Sequence, residues 1–313
     1  MKGYNRMHSK NAMIHGMPFW LLVLALGLPG SVRRDVEASP VQTQNGSPAL
    51  AADRIDGMVA AVVSVFRTKV PIPPLMVTFG SFSIDEAYRV QDALNRELGR
   101  ELGKVVGYKV AHASKAAQQQ FGMAEPAYAA LFQAQRISSG TTVKTGEILG
   151  LFIETEIAFT IGKRIDRPLR SVAELRPHVR WVHAAFDIGE DRFDPDMPPP
   201  LAADMVASGA AAHRFVLGPA FDPSDVDADA VLLKTTINGR AFTEGAATNV
   251  MGSPWNALLW IANRLVDRGK TLEPGDAVLT GTAGSAFRAR GRDMTGTYLG
   301  DCGPLGQVTV SIK

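Results

Sequence analysis

One cysteine, Cys302, stands in a chain of 313 residues. No disulfide can form within the chain, and no thiolate cluster can hold zinc or iron–sulfur. The six histidines are scattered without zinc-like spacing. No Gly-x-Ser-x-Gly nucleophile elbow is present, and no glycine-rich string fits a dinucleotide or phosphate loop. The apolar run Met17–Leu28 has 12 residues, short of the roughly 17–25 that span a bilayer. Excess charge of one sign is also missing. Of 33 basic and 31 acidic residues, five and two fall within residues 1–37, which leaves the body at about −1. That balance argues against a nucleic-acid partner, which calls for a basic stripe.

The first 52 residues read as a leader and linker. A basic, polar start followed by Met17–Leu28 imitates a secretory signal, yet no small-x-small cleavage site follows at once. Ala49-Leu50-Ala51 has that pattern but lies about twenty residues too far on. The competing readings are a start at Met13, Met17 or Met58, or a disordered extension. A cytoplasmic protein is expected, with export if the apolar run is a true signal. Ser31–Ala52, with Pro40, Gly46 and Pro48, reads as linker.

At 46% hydrophobic residues the rest can bury a sizeable core. Residues 53–145 are expected to form a helical and strand region, and 146–313 a β-rich catalytic body. The first helix is expected over Asp53–Thr68, stopped by Val70-Pro71-Ile72-Pro73-Pro74. Ser83-Ile84-Asp85-Glu86 fits a capping box opening a second helix with Ala87, Val90, Leu94 and Leu98 on one face. A strand over Lys104–Val110 and a helical turn at Ser114–Gln120 follow. Further strands are expected at Leu151–Thr160, His178–Asp187, His213–Leu217, Ala230–Ile237, Ala277–Thr280 and Gln307–Ile312. Asn238-Gly239 signals a two-residue hairpin. Ser253-Pro254 opens a helix closed by Gly269. The sum is an α+β fold: a curled, mixed β-rich body with an N-terminal helical region.

Chemistry concentrates at Glu154-Thr155-Glu156, set between the apolar runs Ile148–Ile153 and Ile157–Ile161. Side chains alternate along a strand, so both carboxylates face one way, about 6–7 Å apart. Such a pair calls for a positive partner, and oxygen ligands favour Mg²⁺ or Mn²⁺. The bland alternative is a solvated edge strand. A third carboxylate is wanted, and Asp187, Glu190 and Asp191 are the candidates, with Asp187 in the more apolar surroundings. Lys109 is either a partly buried ammonium near the carboxylates or a lysine snorkelling from a strand edge. His112 is close enough in sequence to line the same site. The loop Leu279–Gly284 carries amides and hydroxyls able to bind a carboxylate, or is simply a turn of small residues.

Several strings in order resemble one family. These are Gly107-Tyr108-Lys109 with Ser114-Lys115, Phe121-Gly122-Met123-Ala124-Glu125-Pro126, and Glu154-x-Glu156-Ile157-Ala158-Phe159. Asn238-Gly239, Glu244-Gly245, Pro254-Trp255-Asn256-Ala257-Leu258 and Gly303-Pro304-Leu305-Gly306 follow. Over residues 53–313 the chain resembles the 2-oxopent-4-enoate hydratase and 4-oxalocrotonate decarboxylase branch of the fumarylacetoacetate hydrolase superfamily. The resemblance implies a mixed β-roll, Mg²⁺ or Mn²⁺, and a homo-oligomer, with a hetero-complex with a related decarboxylase or hydratase as a variant. It implies Glu154, Glu156 and Asp187 as metal ligands and Lys109 as the active-site lysine, with Glu125 beside it. Asn256 and Thr280, with His112, are the residues expected to orient substrate. The implied reaction is addition of water to a 2-hydroxy-2,4-dienoate. The alternatives are a 4-oxalocrotonate-type decarboxylase, an acylpyruvate-type carbon–carbon hydrolase and a non-catalytic partner subunit. Two departures touch the substrate side. Ser208–Ala212 replaces an expected Asp-Asn-Ala-Ser-Ser string, and Glu190-Asp191-Arg192 stands where Asp-Ser-Arg is expected.

Overall fold

The computed structural model describes residues 51–313. The signal-like run Met17–Leu28 and the linker up to residue 50 lie outside the described residues. Helix α1 (Ala52–Thr68) buries Met58, Val62 and Val65 and stops at Lys69, whose φ of 54° breaks the helix before the prolines. After α2 (Leu75–Phe79), α3 (Ile84–Leu102) opens on a reciprocal capping box. The Glu86 amide donates to Ser83 Oγ at 3.2 Å, and the Ser83 amide donates to Glu86 Oε2 at 2.8 Å. Ala87, Val90, Leu94 and Leu98 form its buried stripe.

Strand β1 (Val105–Ala111), α4 (Lys115–Gln120), β2 (Ala127–Phe132), β3 (Arg136–Ile137) and β4 (Thr142–Val143) follow. Two 12-residue strands, β5 (Gly150–Ile161) and β6 (Val179–Glu190), flank α5 (Val172–Leu175). Next come α6 (Ala202–Ala207), β7 (Ala212–Leu217), β8 (Leu232–Ile237), β9 (Arg240–Ala246) and α7 (Pro254–Asp267). The chain closes with β10 (Ala277–Thr282), β11 (Phe287–Arg290), β12 (Gly296–Asp301) and β13 (Gln307–Ile312). Asn238 and Gly239, at φ 52° and 76°, turn β8 into β9 as a two-residue hairpin requires.

One sheet runs β2-β1-β10-β5-β6-β7-β3, with β11 added to β5; the other runs β4-β13-β12-β8-β9. Both mix parallel and antiparallel pairs or join strands distant in sequence, the mixed roll expected from the residues. Strands from either side of residue 145 share both sheets. Thr155 on β5 meets Thr235 on β8 hydroxyl to hydroxyl at 2.6 Å, so one face of β5 lies against the second sheet. On its other face Ala158, with Ala129, Ala185, Ala277, Leu279 and Phe215, fills the inside of the first sheet's curl. Small side chains there let the strands bend around a tight interior.

Besides the two-residue β3 and β4, strands β2, β11 and β12 carried no sequence signal. Strand β2 is buried at every position, so it shows no alternation, and its alanines favour helix on propensity alone. In β12 a Cβ on Gly300 would sit 2.8 Å from Phe186 and Thr155 side chains, so the sheets' close approach demands a residue of poor strand propensity. Strand β9, signalled only through its hairpin turn, is mostly exposed, and β11 is four residues long and mostly half-buried. Among the described residues no helix is long and apolar enough to cross a membrane.

Candidate active site

Strand phase builds the site. On β5 Glu154 and Glu156 share a face, and β6 pairs antiparallel with Asp187 directly opposite Glu154. The three carboxylates bring one oxygen each within 4.8 Å of one another. The two rejected neighbours have other partners. Glu190 points to the far face of β6, where Lys69 Nζ reaches it at 2.8 Å, and Asp191 takes Arg290 at 2.5 Å. Strand β1 adds Lys109. Although β10 and β5 intervene in the sheet order, its ammonium is hydrogen-bonded to Asp187 Oδ2. In a flat sheet three strand spacings amount to about 14 Å. The curl and the long lysine stem close that gap.

Two glycines make this possible. Gly107, at φ 150°, lets β1 approach β10 so closely that a Cβ would stand 1.9 Å from the Ala277 carbonyl oxygen. Gly281, at φ 99°, sits in a bulge where β10 takes three steps, Leu279 to Thr282, against two on β5. Its amide donates to Glu156 Oε2 at 2.7 Å. The loop amide does bind a carboxylate, that of Glu156.

Glu156 and Asp187 are 0% and 1% exposed, and Lys109 is 4% exposed. Burial first, then the charge of Asp187, pushes Glu154 up to about 7; Lys109 and Arg288 pull the other way. Burial, Asp187 and Glu154 hold Glu156 well above the ordinary carboxylate range. For Lys109 burial alone would lower the value, but Asp187, Glu154 and Glu156 together outweigh it and raise it. The ammonium is therefore charged at neutral pH. Ionised together, the three carboxylates exceed the one ammonium by two charges, around a centre where Glu156 and Asp187 are buried and Glu154 is half-buried. Glu156 Oε1 and Asp187 Oδ1 are buried without a hydrogen-bond partner. Hard oxygen donors, a surplus of two charges and unpartnered oxygens fit a divalent cation. The triad can hold one.

Glu154 and Lys109 line a cavity of about 560 Å³ together with His112, Phe121, Phe152 and Arg288. His112 stands at φ 55°, a strained setting for a residue with a Cβ, and its Nδ1 is buried without a partner. Burial first, then Lys109 and Arg288, pushes it down to about 4, so it is neutral at pH 7.

A family model described as fumarylacetoacetate (FAA) hydrolase C-terminal matches residues 104–307, a span that contains every residue of this cluster. The chain belongs to the fumarylacetoacetate hydrolase superfamily. It is an enzyme of that superfamily, close to the 2-keto-4-pentenoate hydratase and 4-oxalocrotonate decarboxylase branch. It is 30% identical over 240 residues to a 2-keto-4-pentenoate hydratase of Burkholderia vietnamiensis, covering 76% of this chain and 89% of that one. A Paraburkholderia phymatum protein of the same name is 28% identical over 264 residues, 83% of this chain and 98% of the other. Among solved structures, 4-oxalocrotonate decarboxylase from Pseudomonas putida G7, complexed with magnesium and adipate, superposes with a TM-score of 0.79 at 21% identity. That match covers 85% of this chain and all of the other, and shows the shared fold.

Three sequence candidates of this superfamily member sit elsewhere. Glu125 is paired to Arg264 and accepts from Trp260 Nε1 at 3.3 Å, lining a separate cavity with Tyr88 and Tyr128. It lies in the loop before β2, where no strand phase directs it to the carboxylates. Thr280 is fully buried and donates to the Ile157 carbonyl at 2.8 Å. The bulge breaks the alternation there and turns Gly281 and Thr282 to the cavity instead. Asn256 folds back on its own helix start, donating to the Met251 carbonyl at 3.0 Å. Arg288 and Phe152 were missed. The Phe287–Arg290 alternation was the available signal, but it is one short strand on an exposed edge.

Behind β6, Glu190 gathers Lys69, Arg192 at 3.5 Å and His213 at 3.6 Å, tying the end of α1 to the sheet. Burial first, with Arg214, Lys69 and Arg192 and against the pull of Glu190, pushes His213 down to about 3. In the unfolded chain it titrates near the ordinary value of about 6.5. A depressed folded value means stability that is complete above 6.5 and lost as pH falls toward 3. At pH 5 the loss from this residue is about 2 kcal/mol. Urea unfolding at pH 7 and pH 5 should show a smaller drop in His213→Gln than in the parent protein. An equal drop would remove His213 as the source.

Proposed function

We propose that this chain is a divalent-metal-dependent hydratase that adds water to a 2-hydroxy-2,4-dienoate, the enol of a 2-oxo-4-enoate, to give a 4-hydroxy-2-oxo acid. The observation that carries the reading is the clustered carboxylate triad, whose Glu154 lines a cavity together with Lys109. The hydratases among the sequence relatives support it. A divalent cation held by Glu154, Glu156 and Asp187 would supply Lewis-acid polarisation of a bound 2-oxo acid. Lys109, charged and in contact with Asp187, binds the substrate's anionic end and delivers a proton to the carbon chain as the dienol becomes the ketone. His112, neutral and on the wall of the same cavity, positions the water that adds at C4 and passes that water's proton to C3, while the enol hydroxyl proton replaces the one Lys109 gives. The apolar wall of Phe121, Phe152, Met205, Ala210 and Ala211 keeps bulk water from the conjugated chain.

A second reading, loss of carbon dioxide from a dienoate carrying a distal carboxylate, is favoured by one observation: Arg288 in the same cavity. The hydrolase reading is not supported. Among the described residues its water-activating His–carboxylate pair has one counterpart, His213 with Glu190, and Glu190 lies on the face of β6 away from Asp187. The test is incubation with Mg²⁺ or Mn²⁺ and 2-hydroxypenta-2,4-dienoate, with product mass read directly. Gain of one water supports the hydratase. Release of carbon dioxide from 2-hydroxyhexa-2,4-dienedioate, without hydration, would replace it by the decarboxylase.

A further inference from the structure

The sheet face that carries the triad works as a ruler. Along β5, Glu156, Glu154 and Phe152 share that face, at steps of about 6–7 Å. Strand β11 pairs antiparallel with β5 and sets Arg288 directly opposite Phe152. Opposed residues share a face. Arg288 therefore stands one same-face step beyond Glu154, on the wall of the cavity that Glu154 and Lys109 close.

Arg288 is exposed to solvent where it lines the cavity. Its guanidinium carbon lies 4.1 Å from the centre of the Phe152 ring. Among the described residues it makes no ion pair and no hydrogen bond. Its strand neighbour on the same face, Arg290, contrasts with it, reaching Asp191 at 2.5 Å and the Phe193 carbonyl at 3.0 Å. A guanidinium held over a ring without an ion pair has N–H groups left to take a carboxylate by two parallel hydrogen bonds. Lys109 and Arg288 both act on the charge of Glu154, but it is Lys109 that contacts the triad, at Asp187. The cavity's lining also includes the apolar side chains of Phe121, Phe152, Met205, Ala210 and Ala211. The replaced polar string at Ser208–Ala212 thus contributes the methyl groups of Ala210 and Ala211 to that lining.

We propose that Arg288 reads a carboxylate at the far end of the substrate, so that the preferred substrate is a dicarboxylic 2-oxo or 2-hydroxy-dienoic acid. This rests on the proposed reading of the triad as the end that holds the 2-oxo acid. It deepens that reading by fixing the other end.

Two inert acids of equal chain length separate the end groups: 2-oxoadipate, ending in a carboxylate, and 2-oxohexanoate, ending in a methyl. Both are titrated calorimetrically into the Mg²⁺-loaded full chain. The expected result is 2-oxoadipate binding roughly 10- to 100-fold tighter, the range for bidentate hydrogen bonds to a charged group. Arg288→Gln should bring the ratio close to one. Arg288→Lys should leave an intermediate ratio, because an ammonium is a point charge without the fork. The proposal is overturned if the parent protein binds both acids alike, fails to bind 2-oxoadipate, or keeps its ratio in Arg288→Gln. A merely structural arginine holding Phe152 in place would weaken both acids together and preserve the ratio. Turnover of the dienoates is scored separately. An Arg288-dependent ratio without turnover keeps the end-group assignment and removes the hydratase reading. Turnover with a ratio of one does the reverse.

Discussion

Glu156→Gln raises the melting temperature of the metal-free protein and abolishes its stabilisation by Mg²⁺ or Mn²⁺. The two effects have opposite signs because one carboxylate causes both. Glu156 is fully buried, and burial with Asp187 and Glu154 holds its pKa well above the ordinary range, so its charge is a cost to the folded chain. Glutamine keeps the shape and an oxygen to accept the Gly281 amide. The charge alone is removed. Relief of repulsion is expected to raise the metal-free melting temperature by about 2–4 °C, the shift that ~1 kcal/mol gives in a chain of this size. Metal affinity should fall by more than about 100-fold, since even partners outside the ligand set cost 10- to 100-fold. The gain in stability on adding metal, RT ln(1 + [L]/Kd), disappears with it. Scanning calorimetry with and without Mg²⁺ checks both signs. Undiminished stabilisation by metal in Glu156→Gln would remove this glutamate from the site.

Lys109→Met is expected to lose about 100- to 10,000-fold in turnover, the range for a positioned proton donor, while binding Mg²⁺ more tightly than the parent protein. Methionine replaces the buried stem at similar volume but carries no charge. The contact with Asp187 is lost, and with it the one cation that, among the described residues, touches the triad. A metal ion then meets three carboxylates without a competing ammonium, so its affinity rises. Weak turnover with strong metal binding separates a chemical role from a structural one, which would depress both. Isothermal titration with Mg²⁺ and steady-state rates on a 2-hydroxy-dienoate read the two quantities. Turnover within tenfold of the parent protein would count against Lys109 as the proton donor.

Local rules made much of the fold legible. Ser83 with Glu86, Ser253 with Pro254, and Asn238 with Gly239 each act through hydrogen bonds or backbone freedom within a few residues, and each appears where its spacing placed it. Glu154 and Glu156 were readable for the same reason, since period-two alternation puts both on one face. What depends on cross-strand register was not readable. Asp187 is distinguished from Glu190 and Asp191 only by lying opposite Glu154. The contact between Lys109 and Asp187 depends on how far the sheet curls, which no residue pattern on β1 encodes. Thr280 misled because one inserted residue in β10 inverts the alternation, and the glycine that marks such a bulge also marks an ordinary turn. Glu125 misled because a loop has no phase at all.

The most direct test of a metal-dependent water addition is a mass measurement. The purified chain is mixed with Mg²⁺ and freshly generated 2-hydroxypenta-2,4-dienoate or 2-hydroxyhexa-2,4-dienedioate, and loss of dienol absorbance is followed as the product is weighed. The expected result is a product heavier by one water, formed only with metal and absent in Glu156→Gln. Consumption of neither dienoate above the metal-only blank, by a protein that calorimetry shows to be metal-loaded, would contradict it.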